Sequence, residues 1–387
     1  MLRALCIPLF LLLAGCGTED PFDAPELPSD VGVAGDGNLS EVLEPIRAAW
    51  DVPSLAALMI VQGQVLETAA VGRRSLSSSE RVTTQDLWHF GDLTKSMTAT
   101  LAGVLVEDGI LDWTTTVEQA MPDVAAVIRV EYQDVRLEEL LSHTSGLGND
   151  ITGTNWWSQL PHSDPLPDQR VALSTELMQN QAGAPRGEFL YSNAGYVVAG
   201  AMIERVTGEQ WEDLVVTRVF NPLGMFTASF GAPGRAGSFL QPWGHALENG
   251  TYSPVAPGPD ADSPEVLGPA GTVHMSMADF ARYAAAHIAG ARGVDGLVTA
   301  ETFARLHQQT PGTAAGLGWF LAVRVWANGV ALHHEGSNQL WYADTWLAAN
   351  RDFGVLTVTN AGGDRAFEAT QATVDALVER FEAAQAP

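Results

Sequence analysis

An apolar run from Ser54 to Gln62 and a mixed polar and apolar run from Gln64 to Val71 flank Gly63, which predicts a β-hairpin. The first run is apolar enough for a strand buried in a core. Farther along, Met97, Leu101, Val104 and Leu105 recur at helical spacing, predicting a buried helix from Lys95 to Asp108 that stops at Gly109. Ser40-Glu41-Val42-Leu43 opens a short helix toward Trp50, with Ser40 as its cap. Two further helices are expected from Met277 to Ile288 and from Ala366 to Phe381. Strands are expected near Leu317 to Val325, Ala331 to His334, Trp341 to Ala348 and Gly354 to Thr359, with Asn328-Gly329 as a hairpin turn. A helix, a hairpin, a long helical middle, then strands and a final helix is an α+β order without internal repeats.

The ends follow different rules. Arg3, the apolar run from Ala4 to Leu13 and the closing Leu13-Ala14-Gly15-Cys16 have the layout of an export signal, too short to span a bilayer. Leu-Ala-Gly-Cys resembles the lipobox of bacterial lipoproteins, in which cleavage precedes the cysteine and Cys16 is lipidated. Cys6 lies in the segment that would be discarded, which leaves no second thiol for a disulfide. By the same resemblance, Gly17 carries no inner-membrane retention signal, so the outer membrane is favoured. The expected organisation is a signal peptide at 1–15, a flexible tether rich in Asp, Pro and Gly at 16–39, and one domain at 40–384. Inside that domain, 148–171 reads as a loop-like insertion whose Trp156 and Trp157 form an aromatic lip or packing anchors. Pro254 to Pro264 reads as a solvated acidic loop.

Of 387 residues 46% are hydrophobic, enough for a large core. A formal charge of −26 argues against nucleic acid as partner, since phosphate binding needs clustered cations. Among 20 basic residues Lys95 is the single lysine; the rest are arginine. Arginine supplies charge and hydrogen bonds but holds its proton, whereas lysine shifts its pKa when desolvated, so a solitary lysine marks a position of chemical interest.

Its setting, Gly91-Asp92-Leu93-Thr94-Lys95-Ser96, resembles the Ser-x-x-Lys motif of serine β-lactamases and penicillin-binding proteins, with aspartate in the serine position. Glu188-Phe189-Leu190-Tyr191-Ser192-Asn193 resembles the Tyr-x-Asn segment of class C β-lactamases and related esterases and peptidases. His333-His334-Glu335-Gly336 resembles their third motif. Leu140 to Leu147, Asn221-Pro222-Leu223-Gly224-Met225, Pro269-Ala270-Gly271 and Gly316-Leu317-Gly318-Trp319 match further landmarks in the family's order.

The resemblance implies a β-lactamase/transpeptidase-like fold: an antiparallel sheet flanked by helices, with a mainly helical subdomain. It also implies a cleft. There Asp92 would occupy the nucleophile's place, Lys95 that of the proton relay and Tyr191 that of the base. Asn193 and His334 would hold substrate, and Gly336 and Ser337 would form a wall, the Ser337 N–H completing an oxyanion hole with that of Asp92. The resemblance implies no cofactor.

Asp92 alters this scheme. A carboxylate near Lys95 is expected to favour the ammonium and raise the lysine pKa. A carboxylate attacking an amide also returns to substrate, because it leaves more readily than an amine. Ser96, Thr94, Ser145 and His143 read as structural. Adjacent His333 and His334 point to opposite faces of a strand, with no third ligand at metal spacing, so no metal is expected. Three functions follow: a pseudo-hydrolase that binds a peptide, a peptidoglycan fragment or a similar ligand; an enzyme cleaving esters or amides through Asp92; or a structural envelope protein with a vestigial cleft.

Overall fold

The computed structural model describes residues 31–148 and 164–385. Its centre is a six-stranded antiparallel sheet made of β1 (Ser54–Val61), β2 (Gln64–Gly72), β3 (Phe320–Arg324), β4 (Gly329–Ser337), β5 (Tyr342–Ala348) and β6 (Phe353–Thr359). The strand order is β2-β1-β6-β5-β4-β3, so the first hairpin joins the last strands through β1 and β6. Gln62 and Gly63 both have positive φ, which suits the two-residue turn expected there.

Strand periodicity sorts β1 between two cores. Leu55, Ala57 and Met59 face Leu43, Ile46, Phe353, Leu377 and Phe381, drawn partly from α1 (Leu39–Ala49) and the last helix, Asp364–Gln385. Ala56, Leu58 and Ile60 share the other core with Met97 of α2 (Thr94–Glu107) and with Phe280 and Ile288 of Met277–Ala291. A mainly helical subdomain adds α3 (Leu166–Gln179) and α4 (Asn193–Thr207), with α5 and α6 hereafter denoting Met277–Ala291 and Asp364–Gln385. Arg170 of α3 is fully buried and fastens this subdomain by ion pairs to Glu204 and Glu212 and a 3.1 Å bond to the Val266 carbonyl.

Several boundaries differ from the sequence expectations. α1 starts at Leu39 after Asn38, and Ser40 lies inside it rather than capping it. Part of the expected tether is held against the domain: Val31 is buried, and Arg380 of α6 donates to its carbonyl at 2.6 Å and pairs with Asp36 and Glu67. The expected strand from Leu317 begins only at Phe320. Gly318 has φ +76° and lies so close to α2 that a Cβ would stand 2.7 Å from the Ser96 Cα. Residues 166–171 of the expected insertion are the first turns of α3. The stretch read as a solvated loop folds inward: Ala261 is buried, and Asp262 meets His89 at 2.9 Å.

A small three-stranded sheet places the turn that precedes α2. Leu87–His89 pairs with Val273–Ser276, and the Phe90 amide continues the ladder by donating to Val273 at 2.9 Å. The chain then turns at Gly91–Leu93 directly against the end of β4. Contact there is backbone to backbone: a Cβ on Gly336 would lie 2.0 Å from the Phe90 carbonyl oxygen, and one on Gly91 2.4 Å from the Ser337 nitrogen. Glycine at both positions is what lets strand and turn touch.

Three predictions follow from this packing. Arg380→Met strands Glu67 in the interior and is expected to lower unfolding free energy by about 3–5 kcal/mol, measured by urea denaturation; a loss below about 1 kcal/mol contradicts the assignment. Gly336→Ala forces the turn from β4 and is expected to cost about 1–3 kcal/mol by the same measurement. The third concerns pH. Burial holds His245 and His274 at about 4 and His307 at about 3. They are neutral in the fold and take up protons on unfolding, so their contribution is present above about 6.5 and is lost as pH falls through the folded values. Glu204, pushed up to about 6 by burial, opposes them, as do Asp344 and Asp375, whose carboxyls burial also raises. The urea midpoint is therefore expected to fall from about pH 6.5 to about 5.5, above the range in which ordinary carboxylates titrate, and a flat midpoint would contradict it.

Candidate functional site

Asp92 lies in a 3₁₀ turn, Gly91–Leu93, just ahead of α2, rather than within the helix's first turn. Gly91 has a positive φ, but Leu93 and Thr94 are right-handed, so the three-residue spacing still brings Asp92 and Lys95 together. Lys95 is completely buried. Its Nζ donates to Asp92 Oδ1 and, at 2.8 Å, to the Ala270 carbonyl of the Pro269-Ala270-Gly271 segment. The ammonium also stands over the rings of Tyr191 and Tyr196, 5.0 and 5.7 Å from their centroids.

Electrostatics around the pair differ in one respect from the sequence expectation. Burial pulls the Lys95 pKa down and Asp92 pushes it up, with burial prevailing, so the lysine ends below its ordinary value rather than above it. For Asp92, burial favours the neutral acid, but Lys95, nearby His334 and a hydrogen bond from Tyr191 outweigh it and hold the carboxyl below its usual value. The carboxylate is ionised and keeps 21% of its side chain exposed.

Tyr191 precedes α4, with its phenol donating to Asp92. Burial first, then the charge of Asp92, drives its pKa well above that of an ordinary tyrosine. The phenol is thus a protonated donor, and its proton is directed at the carboxylate. His143 holds the ring in place: it stacks on Tyr191 with centroids 4.6 Å apart while its Nδ1 accepts the Ser192 N–H at 3.1 Å. The sequence reads His143 as structural; its signal is the Ser142-His143-Thr144-Ser145-Gly146 segment, where His143 takes a positive φ of 61°.

The wall is the end of β4. Gly336 presses on the turn, and the Ser337 N–H faces Asp92 Oδ2 at the long limit of 3.5 Å. The amide expected to serve an oxyanion therefore faces the protein's own carboxylate. The Ser337 hydroxyl is engaged at 2.7 Å with the Trp341 carbonyl. His334 is buried and held down to about 4, by burial first and then by Lys95. Its Nδ1 lies 2.6 Å from the Glu335 carbonyl, which can only accept, so the proton sits on Nδ1.

Asn193 opens α4 two residues beyond Tyr191. Ser96, read as structural, donates to the Leu93 carbonyl at 2.8 Å and accepts from Tyr283, consistent with that reading. Cys16, Trp156 and Trp157 lie outside the described residues. His333 turns away from the site, as strand geometry requires, and stacks on Trp346. The expectation that it has no companions at metal spacing is corrected: Glu335 two residues on and Asp344 across β5 both approach it. Linear spacing could not show Asp344, because strand register supplies it.

A family model described as Beta-lactamase matches residues 40–380. Penicillin-binding protein 4 of Amycolatopsis lactamdurans is 30% identical over 295 residues, covering 76% of this chain and 74% of that protein. Unguisins hydrolase ungD' of Aspergillus campestris is 27% identical, covering 86% of this chain and 62% of its own length. Among solved structures, the octameric penicillin-binding protein homologue from Pyrococcus abyssi superposes with a TM-score of 0.71 at 24% identity, covering 88% of this chain and 77% of the other. A D-stereospecific amidohydrolase from Streptomyces sp. gives 0.67 at 22%, covering 87% and 96%. Both share the antiparallel sheet with flanking helices. With this fold, a lysine and a tyrosine meeting at the head of α2, and a family match over most of its length, the chain belongs to the Beta-lactamase family as a serine-hydrolase-like protein.

Proposed function

We propose that this protein is a non-acylating pseudo-hydrolase that is exported, anchored by lipid at Cys16 in the bacterial envelope on the outer-membrane side, and binds a peptide-like ligand such as a peptidoglycan fragment. The observation that carries the reading is the engagement of the Asp92 carboxylate by Lys95 and Tyr191. In the position of the family's serine, Asp92 occupies the nucleophile's place and turns both proton-handling groups into its own hydrogen-bond donors. Tyr191, protonated and pointed at an anion, has no capacity to act as a base. Loss of a nucleophile that works within such a unit costs about 10⁶ in rate, roughly 8 kcal/mol of transition-state stabilisation. Binding does not require that step.

The relatives support the ligand class: one is named a penicillin-binding protein and another a hydrolase of unguisins. The leader residues Arg3 to Cys16 support the anchor. One observation favours a second reading, an esterase using Asp92 as nucleophile or base: the carboxylate is ionised and partly open to solvent.

Two experiments test the proposal. The protein and its Asp92→Ser variant are incubated with a fluorescent acylating β-lactam, a chromogenic β-lactam and a p-nitrophenyl ester. Covalent labelling is expected for the Ser variant alone. Turnover by the unchanged protein that disappears in Asp92→Asn would replace the pseudo-hydrolase by the aspartate enzyme. For the anchor, Cys16→Ser is expected to move the protein from the membrane fraction to the soluble fraction; retention on membranes counts against lipidation.

A further inference from the structure

We propose that His333, Glu335 and Asp344 form a binding site for a zinc-class divalent metal ion on the face of β4 and β5 turned away from Asp92. The sheet assembles it. His333 and Glu335 are two apart on β4 and share a face, while antiparallel register sets Asp344 of β5 directly opposite Glu335. His333 Nε2 stands 3.0 Å from Asp344 Oδ1 and 3.4 Å from Glu335 Oε1, and one ligand atom from each residue lies within 4.8 Å of the others. Ligand bonds of about 2.0 Å in tetrahedral zinc give ligand-to-ligand edges of about 3.3 Å, so the two measured edges match such a site.

The surroundings fix each ligand in the orientation a metal needs. Gln371 of α6 donates at 2.6 Å to the other oxygen of Asp344, and the Tyr342 hydroxyl donates to the other oxygen of Glu335. The His333 ring is clamped on Trp346 at 3.8 Å between centroids. Outer partners of this kind are what orient metal-bound carboxylates and imidazoles. Two carboxylates converge on one imidazole, so even a protonated His333 leaves the group one negative charge in excess. Asp344 is fully buried, while His333 keeps 15% and Glu335 31% of the side chain exposed, giving an ion access and a water its fourth position. One nitrogen and two oxygens suit zinc better than calcium, which takes six to eight oxygens.

A bound ion would staple β4 to β5 from behind, on the strand whose other end, Gly336 and Ser337, forms the wall beside Asp92. This inference stands apart from the proposed function and holds whether or not Asp92 is catalytic.

The test uses the purified full chain, stripped with a chelator and dialysed. Titration with Zn²⁺ alone against a chromophoric competitor is expected to show one equivalent bound with Kd at or below about 1 μM. Co²⁺ is expected to give a visible absorption band of tetrahedral type. His333→Gln and Asp344→Asn are each expected to weaken zinc at least about 100-fold and to abolish the band, whereas His334→Gln, on the other face, leaves both intact. Glu335→Gln, at the most exposed of the three positions, serves if the buried substitutions prevent folding. Failure of the unchanged protein to take up one equivalent, or uptake that survives these substitutions, overturns the site and leaves the cluster as an ion pair.

Discussion

A lysine with no exposure to water has to find every partner for its ammonium inside the protein, and the architecture around the head of α2 is organised by that requirement. Burying an isolated charge costs several kcal/mol even after relaxation. Lys95 meets this with the Asp92 carboxylate, the Ala270 carbonyl and two aromatic faces, which come from three separate stretches of chain. Each partner is itself fixed by packing. The Asp92 turn hangs from the ladder through Phe90 and Val273, and Tyr191 is held by its stack on His143. The charge therefore couples the sheet, α2 and the helical subdomain at one point.

The same requirement governs the chemistry available there. An ionised carboxylate between an ammonium and a phenol draws the donors of both, and burial strengthens that preference by removing water as a competitor. Tyr191 is pushed toward permanent protonation, while Lys95 is drawn down by burial yet remains committed to Asp92. The backbone amide of Ser337 completes the ring around the anion. Asp92 thus draws Lys95, Tyr191 and the Ser337 amide onto one carboxylate.

β4 shows how one strand serves two purposes. Its alternate residues address opposite layers, so His334 and Gly336 face the turn of Asp92 while His333 and Glu335 face Asp344 and α6. Gly336 is indispensable on the first side because two backbones meet there without room for a methyl group. On the second side, polar side chains converge at the margin of the core formed by α1, α6 and the sheet, each with a partner across the register or from the covering helix.

Local pattern by itself determined much of this protein. The hairpin around Gly63, the buried helix after Lys95 and the α+β order are written in periodicity and turn residues, which act over a few neighbours. Six ordered landmarks and a solitary lysine singled out Asp92, Lys95 and Tyr191. Tertiary structure alone decided what those residues do to one another. The net fall in the Lys95 pKa, the protonated state of Tyr191, the inward fold of Asp262 onto His89, and the convergence of Asp344 on His333 all arise between segments distant in sequence. Desolvation and strand register have no local signature: each depends on what the fold lays over a residue and opposite it, and neither is set by the residue's neighbours along the chain.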